Sequence, residues 1–391
     1  MDLHFTPEQE RFRADLIGWL EAHLERTWTQ ETKDPRHDAD SLVEVRRRWQ
    51  RKLNDAGYLG MQWPTEWGGR GASEVEGAIL MEELSRADAP QIPNFLGVSL
   101  LGPALIHHGT EEQRQRFLPK MLSGEEIWCQ GFSEPGSGSD LASLRTRAEP
   151  DGDDYRISGQ KVWTTFGPWA DWIFVLARTD PADRYGGITF FLMPIDQDGV
   201  EMRPIRQITG ESEFGEVFFD GGLAKREHVV GQIGEGWRIA MTVLGYERGS
   251  STLAYPAENE RQLHGLVSAL REKGTFESPD VREKLGRLAL ENEVMRSNGL
   301  RTLAEMAAGN APGPESSIEK IFWSEYAQRL TDAAFELLGP EAQLQTTAAH
   351  ARPEVDWAYQ YLWSRAGTIY SGSSEIQRNI IAKRVLQMPT R

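Results

Sequence analysis

The sequence predicts an α+β chain in three parts: an N-terminal helical domain, a central β-sandwich or barrel, and a C-terminal four-helix bundle. Three observations carry this. Apolar residues recur at helical spacing through the first third. From about Ile127 to Val230 the pattern changes to short β-rich runs separated by Gly, Asp and Pro. After Gly231–Trp237 helical periodicity returns and holds to the end. The expected domains are 1–126, 127–233 and 234–391.

The elements follow in order. Thr6-Pro7-Glu8-Gln9 reads as a capping box with Pro at the first helical position, and Phe12, Leu16, Trp19, Leu20 and Leu24 continue at helical spacing. Further helices are expected at 41–57, 73–87, 97–109 and 111–123, with a Gly/Pro/Trp loop at 60–71. Strands are expected at Asp154–Val162, Asp171–Ala177, Gly187–Pro194, Glu201–Ile208 and Phe214–Phe219. The chain has neither strand–helix alternation nor Gly-x-Gly-x-x-Gly, which argues against a Rossmann nucleotide domain. The last part carries helical segments at roughly 236–272, 279–309, 315–338 and 350–366, suited to antiparallel packing.

Composition narrows the function. With 391 residues, 39% hydrophobic and 26% charged, the chain has enough apolar material for substantial cores. The excess of 59 acidic over 43 basic residues, a net charge of -16, disfavours nucleic acid or an anionic membrane as main partner. It leaves room for an anionic small molecule held by a local Arg or a helix N-terminus. One cysteine, Cys129, rules out an internal disulfide framework and fits a reducing compartment. Apolar runs are too short to span a membrane, and the acidic start lacks the basic character of a leader, so a cytoplasmic location is expected. His-x-x-x-His, paired Cys and tight carboxylate clusters are all lacking, so no metal site is expected.

Two segments attract attention as sites. Residues 132–140, Phe-Ser-Glu-Pro-Gly-Ser-Gly-Ser-Asp, form a turn-rich stretch, followed by Trp163-Thr164-Thr165. Near the end, Tyr370-Ser371-Gly372-Ser373-Ser374 makes a polar turn before an amphipathic helix, and it contains no acid or base. In this order the motifs closely resemble the signatures of the acyl-CoA dehydrogenase flavoproteins. The helix–β–helix order, the length and the closing "SEIQRNIIAKRVL" agree, so the resemblance covers essentially the whole chain.

The resemblance implies FAD as cofactor. Pro135, Gly136 and Gly138 permit a backbone that aims N–H groups at acceptors, and Ser133 and Ser139 add hydroxyls. Trp163 offers a flat face to an isoalloxazine ring, and Thr165 a donor to its polar edge. By resemblance, Phe132, Ser133, Gly138, Ser139, Trp163, Thr165, Gly372, Ser373 and Glu375 contact the cofactor. Ser139, Tyr246, Arg248, Tyr370, Ser371 and Gly372 are the corresponding substrate-binding candidates.

The reaction implied is α,β-dehydrogenation of an acyl-CoA thioester to the trans-2-enoyl-CoA, with hydride passing to flavin N5. It requires a carboxylate to take the α-proton. In many family members that base is a Glu at the position of Ser371, and a serine without an adjacent His or Lys cannot substitute. Glu375, at the start of the last helix, is better suited to the helix N-terminus. Isovaleryl-CoA and long-chain acyl-CoA dehydrogenases instead carry the base in a Glu-Arg pair on an earlier helix. Here "GEGWRIAM" (234–241) sets the register without gaps and brings Glu247-Arg248 to the matching place. Glu247 is therefore the candidate base.

Two departures bear on assembly. The Arg-x-x-Phe-Gly motif that family oligomers lend to a neighbour's FAD is replaced by "REKGTFESPD" (271–280). The Gln-x-x-Gly-Gly turn becomes Glu336-Leu337-Leu338-Gly339-Pro340, where a carboxylate disfavours pyrophosphate and Pro340 lacks an N–H. These changes resemble a bacterial subgroup acting on steroid or other bulky acyl-CoA thioesters, some as two different subunits. The expected partners are an acyl-CoA, an electron-transfer flavoprotein, and either a second copy (dimer or tetramer) or a related subunit in a hetero-tetramer. Alternatives are a catalytically silent or half-site subunit of such an assembly, and a same-fold acyl-CoA or nitroalkane oxidase.

Overall fold

The computed structural model describes residues 4–25, 39–246, 252–310, 312–344 and 355–389. Helices α1 (Pro7–His23), α2 (Ala39–Asp55) and α3 (Glu74–Arg86) come first. A π-helical turn, Gly97–Leu101, leads into α4 (Gly102–His108), followed by α5 (Glu111–Ser123). The strands are β1 (Trp128–Gly131), β2 (Arg147–Asp151), β3 (Asp154–Thr165), β4 (Trp172–Arg178), β5 (Ile188–Pro194), β6 (Val200–Ile205), β7 (Phe214–Ala224) and β8 (Val229–Val230). Then come α6 (Gly236–Tyr246), α7 (Ala254–Glu272), α8 (Pro279–Ala307), α9 (Ser316–Leu338), α10 (Trp357–Gly367) and α11 (Ser374–Ile380), with a closing π-helical turn Ile381–Val385.

Side chains set many of these ends. Thr6 accepts from the Gln9 amide at 3.3 Å, and the Gln9 side chain accepts from the Thr6 amide at 2.8 Å, closing the expected capping box. The same reciprocal arrangement starts α3 at Ser73/Glu76 and α5 at Thr110/Gln113. Each such cap stabilises its helix by about 1 kcal/mol.

The structure differs from expectation in three places. The run 236–272 is two helices, α6 and α7, with 247–251 outside the described residues. Pro256 lies in the first turn of α7, where its missing N–H has no partner to lose. The segment expected at 350–366 starts as a helix at Trp357, capped by Asp356, whose carboxylate accepts from the Tyr359 amide at 2.9 Å; residues 345–354 lie outside the described residues. Strands β1, β2 and β8 are additional. They are short, and the polar, Pro-containing "RAEPD" of β2 reads as a turn until β3 pairs with it.

The described chain falls into two compact units. One contains 37–72 and 90–247, and its strands form a single eight-stranded ladder in the order β6-β7-β3-β2-β4-β5-β8, with β1 parallel to β4. β5 and β7 stand four steps apart along this ladder, yet their Cα atoms approach within 8 Å. A flat sheet at about 4.8 Å per strand would hold them nearly 20 Å apart, so the sheet folds over on itself. Ile157, Val175, Phe191, Val217 and Phe219 share the resulting core. Buried Asn94 ties helix to sheet, donating to Met121 O at 2.8 Å and accepting from the Trp128 amide at 2.9 Å.

The other unit contains 1–36, 73–89 and 248–391. Leu266, Leu270, Leu285, Tyr326, Leu330 and Trp357 form its main core, contributed by α7 to α10. α1 and α3 join through an ion-pair cluster: Arg13 reaches Glu82 at 2.9 Å and also Glu83, and Arg86 reaches Glu82 at 2.9 Å.

Candidate active site

The sheet unit carries the first cofactor candidates. Lys161 pairs with Val217 and Thr164 with Gly215, so β3 takes three steps where β7 takes two. The extra residue forms a bulge, which re-aims side chains. Trp163 sits in it at φ +61°, a region costly for a non-glycine residue. Its indole is turned outward, 60% exposed, and meets Phe214 edge-on at 6.1 Å. Thr164 turns inward and is buried, while Thr165, half-buried, ends the strand.

The 132–140 turn lies beside this strand end, because the Val162 amide donates to Ser133 O at 3.0 Å. Phe132 is buried and its ring packs edge-on against Phe174 and Phe190, so that ring belongs to the core. Ser133 is half-buried. Glu134 and Ser137 exchange backbone hydrogen bonds at 3.0 Å, which closes the turn. The Ser137 hydroxyl donates to Asp140 O at 2.8 Å, and Asp140 pairs with Arg184. Gly136 and Gly138 face open space, and Ser139 is exposed. An outward indole beside an open, hydroxyl-bearing turn fits a flat aromatic cofactor with a polar edge.

One member of this site escaped the sequence reading. Fully buried Lys161 donates to Glu134 Oε1 at 2.8 Å and to Phe132 O at 3.0 Å. Glu134 also accepts from the Arg145 and Thr146 amides at 2.7 and 2.8 Å. Burial opposes both charges. On Glu134 the Lys161 cation and the surrounding donors outweigh it and hold the carboxyl below its usual range. On Lys161 burial prevails and lowers the ammonium to about 8, Glu134 opposing. The signal was available: Lys161 occupies an inward position in the alternation Tyr155, Ile157, Lys161, and a charge there demands a partner.

The helical unit carries the second group. After α10, Ser371 and Gly372 both adopt positive φ, +53° and +84°. Gln377 supports them, donating to Ser371 O at 2.9 Å and Gly372 O at 3.4 Å. Ser373 caps α11, its hydroxyl accepting from the Ile376 amide at 3.4 Å. Glu375 is exposed in the first turn of α11, and its own amide together with the Ser373 hydroxyl holds its carboxyl below the usual range. Tyr370 is partly exposed; Lys320 lies 5.9 Å from its ring centroid and donates to Gly367 O at 2.8 Å. A cavity of about 410 Å³ beside the turn is lined by Gln328, Arg329, Thr368, Ser374, Glu375 and Arg378, among others.

Tyr246 ends α6, its ring near-parallel to that of His107 at 6.1 Å. Glu247 and Arg248, the candidate base and its neighbour, lie outside the described residues. At the altered adenine-end turn, the Glu336 carboxylate is engaged by Lys284, so the charge read as repulsive has a counter-ion. Gly339 there is at φ +67° and opens a short 3₁₀ turn in which Pro340 is the second residue. Among the described residues no His, Cys, Asp or Glu cluster could hold a metal ion, and no helix is long and apolar enough to cross a membrane.

Comparison with known proteins agrees with this architecture along its length. The chain matches the acyl-CoA dehydrogenase N-terminal domain over residues 6–125, the middle domain over 129–221 and the C-terminal domain over 234–386. It is 43% identical over 383 residues to acyl-CoA dehydrogenase IpdE1 of Mycobacterium tuberculosis, covering 97% of this chain and 98% of that one. Among solved structures it is similar to the Tcur3481-Tcur3483 steroid ACAD, with TM-score 0.90, 29% identity and full coverage of both chains. It is also similar to the ChsE4-ChsE5 complex from Mycobacterium tuberculosis, with TM-score 0.87, 28% identity and full coverage of both chains. The chain belongs to the acyl-CoA dehydrogenase family and is an FAD-dependent oxidoreductase.

Proposed function

We propose that the protein removes the α-proton and β-hydride of a bulky acyl-CoA thioester, giving the trans-2-enoyl-CoA, with Glu247 as base. The observation that carries this reading is the state of the C-terminal turn. Ser371 fills the position where a carboxylate would act, and Glu375 is engaged as a helix N-terminal anion. Glu247, directly after the last turn of α6, is the carboxylate left in register with an alternative family position.

The roles divide among this chain's residues. Glu247 takes the α-proton as the C–H electron pair moves into the forming C=C bond, and Arg248 supports substrate or site structure. Bound FAD supplies, at N5, the acceptor for the hydride leaving the β-carbon. In the sheet unit Trp163 would stack beside the ring, Thr165 would donate to its polar edge, and Ser133, Gly138 and Ser139 would hold the cofactor at the turn; in the helical unit Gly372, Ser373 and Glu375 are the assigned cofactor contacts. Phe132 backs the first turn from the core. Tyr246 in the sheet unit, and Tyr370 and Ser371 in the helical unit, are each assigned to the substrate, and the small Ser371 side chain leaves room for a wide group.

Two further points concern partners. The steroid description of one similar structure favours a polycyclic or otherwise bulky acyl group. The altered segments 271–280 and 336–340, with the two-component names of both similar structures, favour assembly with a related second subunit that completes the adenine end. Electrons then leave to an electron-transfer flavoprotein in the cytoplasm.

The decisive experiment is anaerobic titration of the purified flavoprotein with straight-chain, branched and steroid acyl-CoA thioesters. The wild type bleaches with a bulky thioester. Glu247→Gln binds FAD normally and stays yellow; full bleaching of that variant overturns the base assignment. Rapid peroxide formation in air favours the oxidase alternative instead.

A further inference from the structure

We propose that the buried Lys161–Glu134 pair is a positioning device for the cofactor, fixing the 132–139 turn against the 163–165 strand end. The inference rests on the placement of the flavin at those two segments.

Three successive residues of the turn are bound by two successive residues of the strand. Lys161 Nζ donates to Phe132 O at 3.0 Å, the Val162 amide to Ser133 O at 3.0 Å, and Lys161 Nζ to Glu134 Oε1 at 2.8 Å. Glu134 extends the frame to β2 through the amides of Arg145 and Thr146. Beyond Glu134 the turn opens outward, with Pro135, Gly136, Gly138 and Ser139 all exposed. Beyond Lys161 the strand enters its bulge, and Trp163 is two residues along from the anchored lysine. The segments lie far apart in sequence, and this staple sets their spacing.

An apolar pair would fill the same space with less desolvation cost. What the ammonium adds is direction: its three donors bring a carbonyl and a carboxylate to one point. A purely space-filling role would not need either charge.

The test measures FAD affinity, the flavin absorption spectrum and the thermal midpoint of the full-length chain, with any subunit that co-purifies. Glu134→Gln, which keeps side-chain length but leaves Lys161 buried without its carboxylate, is expected to weaken FAD binding about tenfold and shift the flavin band. The double variant Glu134→Gln/Lys161→Met has no unpaired buried charge, so its midpoint returns toward wild type. Its FAD affinity stays low, because the bond to Phe132 O is gone. Recovery of both midpoint and affinity in the double variant overturns the proposal, as does wild-type affinity in Glu134→Gln. Trp163→Ala separates the two layers of the argument. If it perturbs the flavin and the pair variants do not, the positioning role alone fails; if none perturbs it, the flavin placement fails and the positioning role with it.

Discussion

Trp163 meets Phe214 edge-on, at 6.1 Å and 85° between planes, from a backbone held at φ +61° in the β3 bulge. A large aromatic side chain is thus kept mostly in the open at a conformational cost, which folding alone does not repay. Trp163→Ala is expected to change the melting midpoint little, within about 0.5 kcal/mol of stability, since little packing is lost. Flavin affinity should fall about tenfold and the flavin band should shift, because a stacking surface is removed. Flavin absorbance and ultrafiltration report both.

Glu82 gives a contrasting expectation. It is 1% exposed and paired with Arg13 and Arg86, which joins α1 to α3. Glu82→Ala removes the buried carboxylate from Arg13 and Arg86, which both keep Glu83 as a partner, and should cost about 2 kcal/mol, read by urea unfolding. Burial pushes this carboxyl up, but the two arginines outweigh it and hold it below 4.5. The pair's stabilisation is therefore present above the ordinary carboxylate range and lost as pH falls through the lowered value.

Glu213 has the opposite sign. Burial, with Glu211 adding and Arg46 opposing, pushes its carboxyl up to about 7. Its folded form favours the proton, so the associated stability is complete below about pH 4.5 and is lost as pH rises through about 7. Glu213→Gln should flatten the profile across that window and raise stability at pH 8 by ~1–3 kcal/mol. Thermal melts from pH 5 to 8 check the slope.

Gly372 tests the C-terminal turn. It sits at φ +84°, and a Cβ there would lie 2.6 Å from the Gln377 amide nitrogen that supports the turn. Gly372→Ala should destabilise by about 1–2 kcal/mol and weaken flavin binding together, as the turn opens. A midpoint shift without any flavin effect would remove Gly372 from the cofactor set.

Local pattern determined much of this protein. The helix–sheet–helix order and the Thr6/Gln9 cap were written in short-range periodicity and capping chemistry, and several spaced motifs in order identified the family. Local pattern did not divide 236–272 into α6 and α7, although Pro256 marked the second start. Tertiary structure alone decided the short strands β1, β2 and β8, which exist because neighbours complete their ladders. It also decided the outward turn of Trp163, which depends on a one-residue mismatch between β3 and β7. The Lys161–Glu134 pair belongs to the same class. A sequence shows that a strand carries an inward lysine, but only folding shows which carboxylate, 27 positions away, neutralises it.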